Sequence, residues 1–151
     1  MVAISVLRAE RSDIPDLAVL FDEYRSLYGC HPDASAVGNF LAERIDRHES
    51  IFLLARAPHA ASGFLQLIPI YSSVTLKRGF LLNDLYVRRD LRRKGVGKAL
   101  LAAAAKLAVQ SGASHMMLST ESSNEIAQAL YRSAGWQRDD RFYFFHLPVA
   151  P

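Results

Sequence analysis

The sequence has a single cysteine, Cys30, in 151 residues. That excludes a disulfide framework and any paired-cysteine metal knuckle. The five histidines show neither HxH nor HxxxH spacing, so no metal site is expected. Long apolar runs are missing too. The longest, Ala99 to Ala105, falls far short of the ~20 residues that span a bilayer. The first residues, Met1 to Arg8, lack a basic segment followed by a long apolar core, so no secretory signal and no membrane association are expected. Repeats and low-complexity linkers are also lacking. What remains is a globular chain of one domain, residues 1–151, large enough to bury about two-thirds of its unfolded surface. A cytoplasmic location is expected.

Charge is present but uneven. The net charge is +3, with 18 Lys and Arg against 15 Asp and Glu. Residues 88–98 alone carry six bases and one acid, so the rest of the chain is slightly acidic. A nucleic-acid surface spreads positive charge over enough area to meet several phosphates. Here the excess sits in one loop beside two glycines and has no interleaved aromatics. The pattern favours a pocket for a small polyphosphate and speaks against a nucleic-acid partner.

Periodicity alternates between strand and helix. Ile4–Arg8 reads as a strand. Ser12 or Asp13 caps a helix carrying Ile14, Leu17, Leu20, Phe21 and Tyr24, which Gly29 ends. A second helix runs from about Asp33 to Arg47. Ile51–Arg56 and Gly63–Tyr71 read as a hairpin and Gly79–Val87 as the next strand. Val96–Ser111 is a helix that Gly112 stops, and Met116–Ser119 a short strand. Ser122 and Glu125 have capping-box spacing and open a helix to about Ala134. The aromatic stretch Arg141–Leu147 reads as a closing strand. This order predicts an α/β fold with one mixed sheet flanked by helices.

A basic loop followed by Gly95-Val-Gly97-Lys98 and a helix is a phosphate-binding layout. Glycines let backbone N–H groups approach an anion, and the positive end of the helix faces it. A P-loop fails, because Arg92 stands where its first glycine belongs and Ala99 where its Ser or Thr belongs. A dinucleotide fingerprint fails as well, because Leu100 occupies the third glycine position.

Arg92-Arg93-Lys94-Gly95-Val96-Gly97 matches the [RQ]xxGx[GA] signature of the GNAT superfamily of N-acetyltransferases. The strand Leu82-Asn-Asp-Leu-Tyr-Val87 just upstream resembles that superfamily too, as does the segment Asn124 to Trp136 with its Leu130-Tyr131 pair. Within it the chain is most similar to the histone-and-polyamine acetyltransferase-like branch. The resemblance implies a single domain with a mostly antiparallel sheet of six to seven strands and about four helices. It also implies acetyl-CoA as cofactor, with coenzyme A as product. The amides of Arg93 to Lys98 would meet its pyrophosphate, and Arg92, Lys94 or Lys98 would add charge. Leu85, Tyr86 and Val87 would pair with the pantetheine arm, and Asn124 would meet its amide. A backbone N–H near Leu85 would stabilise the oxyanion, and Tyr131 would protonate the departing thiolate.

The base is open. Relatives acting on polyamines carry Glu where this chain has Asn83, which cannot take a proton. Asp84 is adjacent, but strand alternation points it to the opposite face. Glu121, after the next strand, is slightly preferred, acting directly or through water. Residues 11–50 hold eight acids and four bases, which fits either a solvated helix face or attraction for a cationic acceptor. Tyr24, Tyr28, Tyr71 and His31 are candidate pocket walls, and Asn83 a candidate substrate contact.

The implied activity is acetyl transfer to a primary amine of a small molecule or protein by direct attack. The competing reading is an acyl-CoA-binding sensor or scaffold domain without turnover. Relatives of that branch also dimerise through C-terminal strands, to which Phe142, Phe144 and Phe145 are suited; packing in the core explains those rings equally well.

Overall fold

The computed structural model describes residues 2–150. Its strands are β1 (Ser5–Arg8), β2 (Ile51–Arg56), β3 (Ala61–Ser72), β4 (Lys77–Val87) and β5 (Met116–Met117). Its helices are α1 (Ile14–Ser26), α2 (Ala34–Asp46), α3 (Val96–Gln110) and α4 (Glu125–Ser133). The five strands lie side by side in chain order. Neighbours are antiparallel except β4 and β5, which run parallel because α3 crosses over between them.

Helices cover both faces of the sheet, which explains why β2 is apolar along most of its length. Leu53, Ala55, Leu65 and Leu67 point to α3 and meet Val96, Leu100, Leu101 and Ala104. Phe52, Leu54 and Phe64 point the other way and meet Leu17, Leu20 and Phe21 of α1 with Val37 and Leu41 of α2. Phe21 stacks on Phe64 with ring centroids 4.3 Å apart. Each fully buried side chain of this size contributes about 1.5–3 kcal/mol of transfer free energy.

One irregularity in β4 positions the site. Gln66 of β3 lies opposite Asp84, but the next residue, Leu67, lies opposite Leu82, so Asn83 is an extra residue without a partner. Such a bulge inverts the alternation of side chains. Phe80 and Leu82 therefore face α3, whereas Tyr86 faces α1.

The α/β class, the mostly antiparallel sheet and the four flanking helices agree with expectation. The sheet has five strands among the described residues rather than six to seven. The closing strand expected at Arg141–Leu147 is not formed. No backbone hydrogen bond joins this stretch to the sheet, and Phe142, Phe144 and Phe145 are exposed. Alternating aromatics record a demand for a neighbouring strand, and no strand among the described residues meets it. β5 is likewise shorter than expected. At α4 the N-cap is Asn124, whose side chain accepts from the Ala127 N–H at 3.1 Å, rather than Ser122. At α1 Asp13 stands at the cap position but makes no capping bond; its carboxylate takes the Glu10 N–H and pairs with Arg56.

Candidate active site

β4 and β5 touch only through Phe80–Leu81 and Met116–Met117, then part. From Leu82 to Val87, β4 is paired with β3 on one side and, among the described residues, with no strand on the other. Backbone groups alternate along the strand: the Arg88 N–H donates to Ser62 on β3, so Tyr86 also pairs with β3. This removes Tyr86 from the expected pairing with an extended arm, and only Leu85 and Val87 turn their polar groups to the opening between the strands. One of them is used internally: Arg92 Nε donates to the Val87 carbonyl at 3.0 Å, and its guanidinium lies over the Tyr86 ring.

At the far end of this edge α3 begins. Gly95 is its N-cap at φ +90°, a conformation that L side chains rarely adopt. No side chain caps the helix and its first turn holds no acid. The first backbone bond into the helix is from Ala99 to Gly95, so the N–H groups of Val96, Gly97 and Lys98 lack intrahelical acceptors. Arg93 also has positive φ, at +60°. A Cβ on Gly97 would come within 3.1 Å of the Leu130 side chain on α4. Arg93, Lys94 and Lys98 are exposed around these amides. Arg88, by contrast, is paired with Glu23 and Asp90. Free amides, bare glycines and three unpaired cations form a seat that fits a diphosphate.

At the near end, where the strands part, lies a cleft of about 700 Å³. Tyr24 from α1 and Tyr28 from the turn after it close one side, with Asn83 and Asp84 from β4, Glu121 from the loop after β5 and Tyr131 from α4. Among the described residues lining it there are two carboxylates and no Lys, Arg or His. The bulge brings Asn83 and Asp84 to the same cleft, correcting the alternation that had turned Asp84 away. Asn83 Nδ2 donates to Asp84 Oδ2 at 2.9 Å.

Burial raises the Tyr131 phenol above its usual range, with a smaller contribution from Tyr28. Burial also raises Tyr24, more strongly, helped by the Tyr28 hydroxyl and the charge of Asp84. Both tyrosines stay protonated at neutral pH and present O–H donors. Asn124 spends its side-chain oxygen on the helix cap, which leaves its amide nitrogen free to donate.

Most of the expected residues are thus brought together along one opening. His31 and Tyr71 lie outside the cleft. The acids of residues 11–50 are engaged elsewhere: Asp13 and Asp16 with Arg56, Asp22 with Arg25, Glu23 with Arg88, Asp46 with Arg11, and Glu43 and Glu49 with Arg44 and Arg47. Asp33 caps α2. They do not supply the acidity of the cleft. Leu27, Ser119 and Thr120 of the lining were missed, because nothing in a loop sequence fixes which way it turns. Gln66, behind Asp84, was missed although a lone amide within Phe-Leu-Gln-Leu-Ile calls for a buried partner.

Comparison with known proteins matches this arrangement. The sequence model of the Acetyltransferase (GNAT) family aligns with residues 17–136. The chain is 39% identical over 146 residues to the uncharacterized N-acetyltransferase YhfO of Bacillus subtilis, covering 97% of this chain and 98% of that one. It is 28% identical over 151 residues to a probable acetyltransferase of Haemophilus influenzae, covering 97% and 99%. A crystal structure of a probable acetyltransferase superposes with TM-score 0.91 at 37% identity, over 97% of this chain and 99% of that one. Open strand edge, uncapped glycine helix start and matching relatives converge: the chain belongs to the GNAT family of acetyltransferases.

Proposed function

We propose that residues 1–151 act as one N-acetyltransferase domain, transferring an acetyl group from acetyl-CoA to a primary amine of a small molecule or protein by direct attack. The observation that carries this reading is one opening with two unlike ends. An anion seat at the start of α3 and a cleft with two carboxylates and no cation are joined by the open edge of β4. The first suits a diphosphate and the second an ammonium.

Acetyl-CoA, when bound, supplies an acetyl group activated as a thioester. The N–H groups of Val96, Gly97 and Lys98, with Arg93 and Lys94, hold the diphosphate. Leu85 and Val87 offer their outward backbone groups to an extended arm as an added strand would use them. Asn124 donates its free amide to the same arm. The N–H at Leu85 is placed to donate to a developing oxyanion.

An alkylamine resembles lysine, with a pKa near ~10, and arrives protonated. Asp84 takes its proton; of the two cleft carboxylates it is the one held by hydrogen bonds from neighbouring side chains. Glu121, exposed at the rim, attracts the cation. Tyr131 keeps its proton and donates to the departing sulfur. Because its proton affinity exceeds that of a thiol, at about 8.5, it acts as donor and relay rather than as a strong acid.

The tests are direct. At 100 times its Kd, acetyl-CoA should stabilise the protein by about 2.7 kcal/mol in a thermal shift. Thiol release with a panel of primary amines should then exceed the amine-free rate. A thermal shift without amine-dependent thiol release would make the chain an acyl-CoA-binding domain. Tyr131→Phe should lower kcat about 10- to 100-fold with acetyl-CoA affinity retained, and an unchanged kcat removes Tyr131 from this role.

A homodimer is part of the proposal. The exposed aromatics beyond Trp136 and the uncovered Ile126 of α4 offer apolar surface that a second copy would bury. The free, exposed Cys30 suits a reducing cytoplasm. No helix among the described residues is long and apolar enough to cross a membrane.

A further inference from the structure

One polar side chain interrupts the apolar layer beneath α1 and α2. Gln66 is only 2% exposed, and its cross-strand neighbours are Phe52 on β2 and Asp84 on β4. Its Nε2 donates to Asp84 Oδ2, and its Oε1 accepts from the Ser50 hydroxyl at 2.7 Å. Ser50 is buried as well, at 5% exposure. Asn83 Nδ2 donates to the same Asp84 oxygen.

The direction of every bond in this chain follows from the carboxylate. An ionised carboxylate only accepts, so the amide turns its nitrogen to Asp84 and its oxygen to Ser50. Ser50 must then donate, and the second bond holds the amide in place behind the carboxylate, which itself forbids a flip. Both donors act on Oδ2, which leaves Oδ1 for the cleft. The donors are neutral amides, so they orient the carboxylate without cancelling its charge. An arginine at position 66 would orient it equally well and neutralise it.

We propose that Ser50 and Gln66 are positioning residues for Asp84, holding its carboxylate so that one oxygen meets the acceptor amine; this rests on the acetyl-transfer reading above. Neither residue lines the cleft, so both act through Asp84. The groups around that carboxylate are Gln66 and Asn83 from the sheet, Tyr24 from α1 and Tyr28 from the turn after it, with Glu121 and Tyr131 completing the cleft.

The test compares Gln66→Met and Ser50→Ala, each alone and combined with Asp84→Asn. Acceptors are 1,3-diaminopropane, lysine and benzylamine. Gln66→Met should lower kcat about 10-fold and Ser50→Ala about 3-fold, with the KM for acetyl-CoA within about 2-fold of the original. In the Asp84→Asn background neither should lower kcat further, because their effect runs through that carboxylate. Losses that multiply with Asp84→Asn, or an unchanged kcat in the single variants, overturn the proposal. Ser50→Ala keeps the test available should Gln66→Met fail to fold. The Asp84 carboxyl ¹³C resonance provides a readout without turnover. It should move in both single variants, and an unmoved resonance also overturns the proposal. Should no amine be acetylated by the unmodified protein, the acetyl-transfer reading fails, while the resonance still decides whether Ser50 and Gln66 orient Asp84.

Discussion

The body of the molecule and its C-terminal third obey the same sequence grammar with opposite results. Among the described residues every buried apolar side chain lies between Ala9 and Ala108. Beyond that point Val109, Ile126, Phe142, Tyr143, Phe144, Phe145, Leu147 and Val149 are all exposed. The α4 helix buries no residue completely, although its apolar residues recur with helical spacing. Periodicity tells which face of an element seeks cover. Whether cover exists depends on a neighbour, and strands β1–β4 with α1–α3 supply it while the tail has none among the described residues. The family match ends at Trp136, before the exposed aromatic tail that starts at Phe142.

The contrast can be broken most forcefully from the body. Phe64→Ala removes a fully buried ring stacked on Phe21 and should cost about 3–5 kcal/mol in urea denaturation. A loss below about 1 kcal/mol would mean that the α1 side of the core is not cooperative with the sheet.

A second change acts at the junction of the two regions, where α3 meets Leu130 of α4. Combining Gly95→Val with Gly97→Val places a branched residue at positive φ and a Cβ against that side chain. Acetyl-CoA affinity should fall at least about 100-fold, so the ligand-induced stabilisation of about 2.7 kcal/mol should drop to about 0.4 kcal/mol or less. A folded variant that binds normally would refute the anion seat.

Alkaline pH separates the regions more gently. Tyr24, Tyr86 and Tyr131 hold their protons more tightly than a free phenol, mainly through burial. Above about pH 10 the unfolded chain loses these protons before the folded one does, so stability must fall as pH rises. The melting temperature should decline through this window, and Tyr24→Phe should flatten the decline. An identical pH profile would show that Tyr24 is not held as described.

The smallest effect on the isolated chain is expected in the tail. Phe144→Ser with Phe145→Ser should change the stability of the dilute monomer by no more than about 0.5 kcal/mol, because both rings are already in water. The same pair should abolish self-association in sedimentation experiments. Dimers that persist in the variant would remove these rings from the interface.

Much of this was legible in the residues. Helix boundaries at Gly29, Gly112 and Gly135 follow from positive φ, which glycine adopts without strain. The anion seat was readable because it needs local features only: two glycines, a basic loop and a helix start, all within seven residues. The cleft was less so. Tyr24 and Tyr28 meet Asp84 and Glu121 across long sequence separations, and the eight acids of residues 11–50 look available until their partners are placed. The closing strand failed for a related reason, since a strand exists only when another strand accepts its hydrogen bonds.

Local composition and spacing thus determined the order of elements, the phosphate-binding loop and the family resemblance, because backbone sterics and nearby charge act over a few residues. Only the tertiary structure decided that Asp84 faces the cleft. An unpaired Asn83 shifts the register of β4, and strand register is set by the partner strand and by packing, not by the strand alone. The same dependence on a partner decided that Gln66 would stand behind Asp84 and that the aromatic tail would remain uncovered.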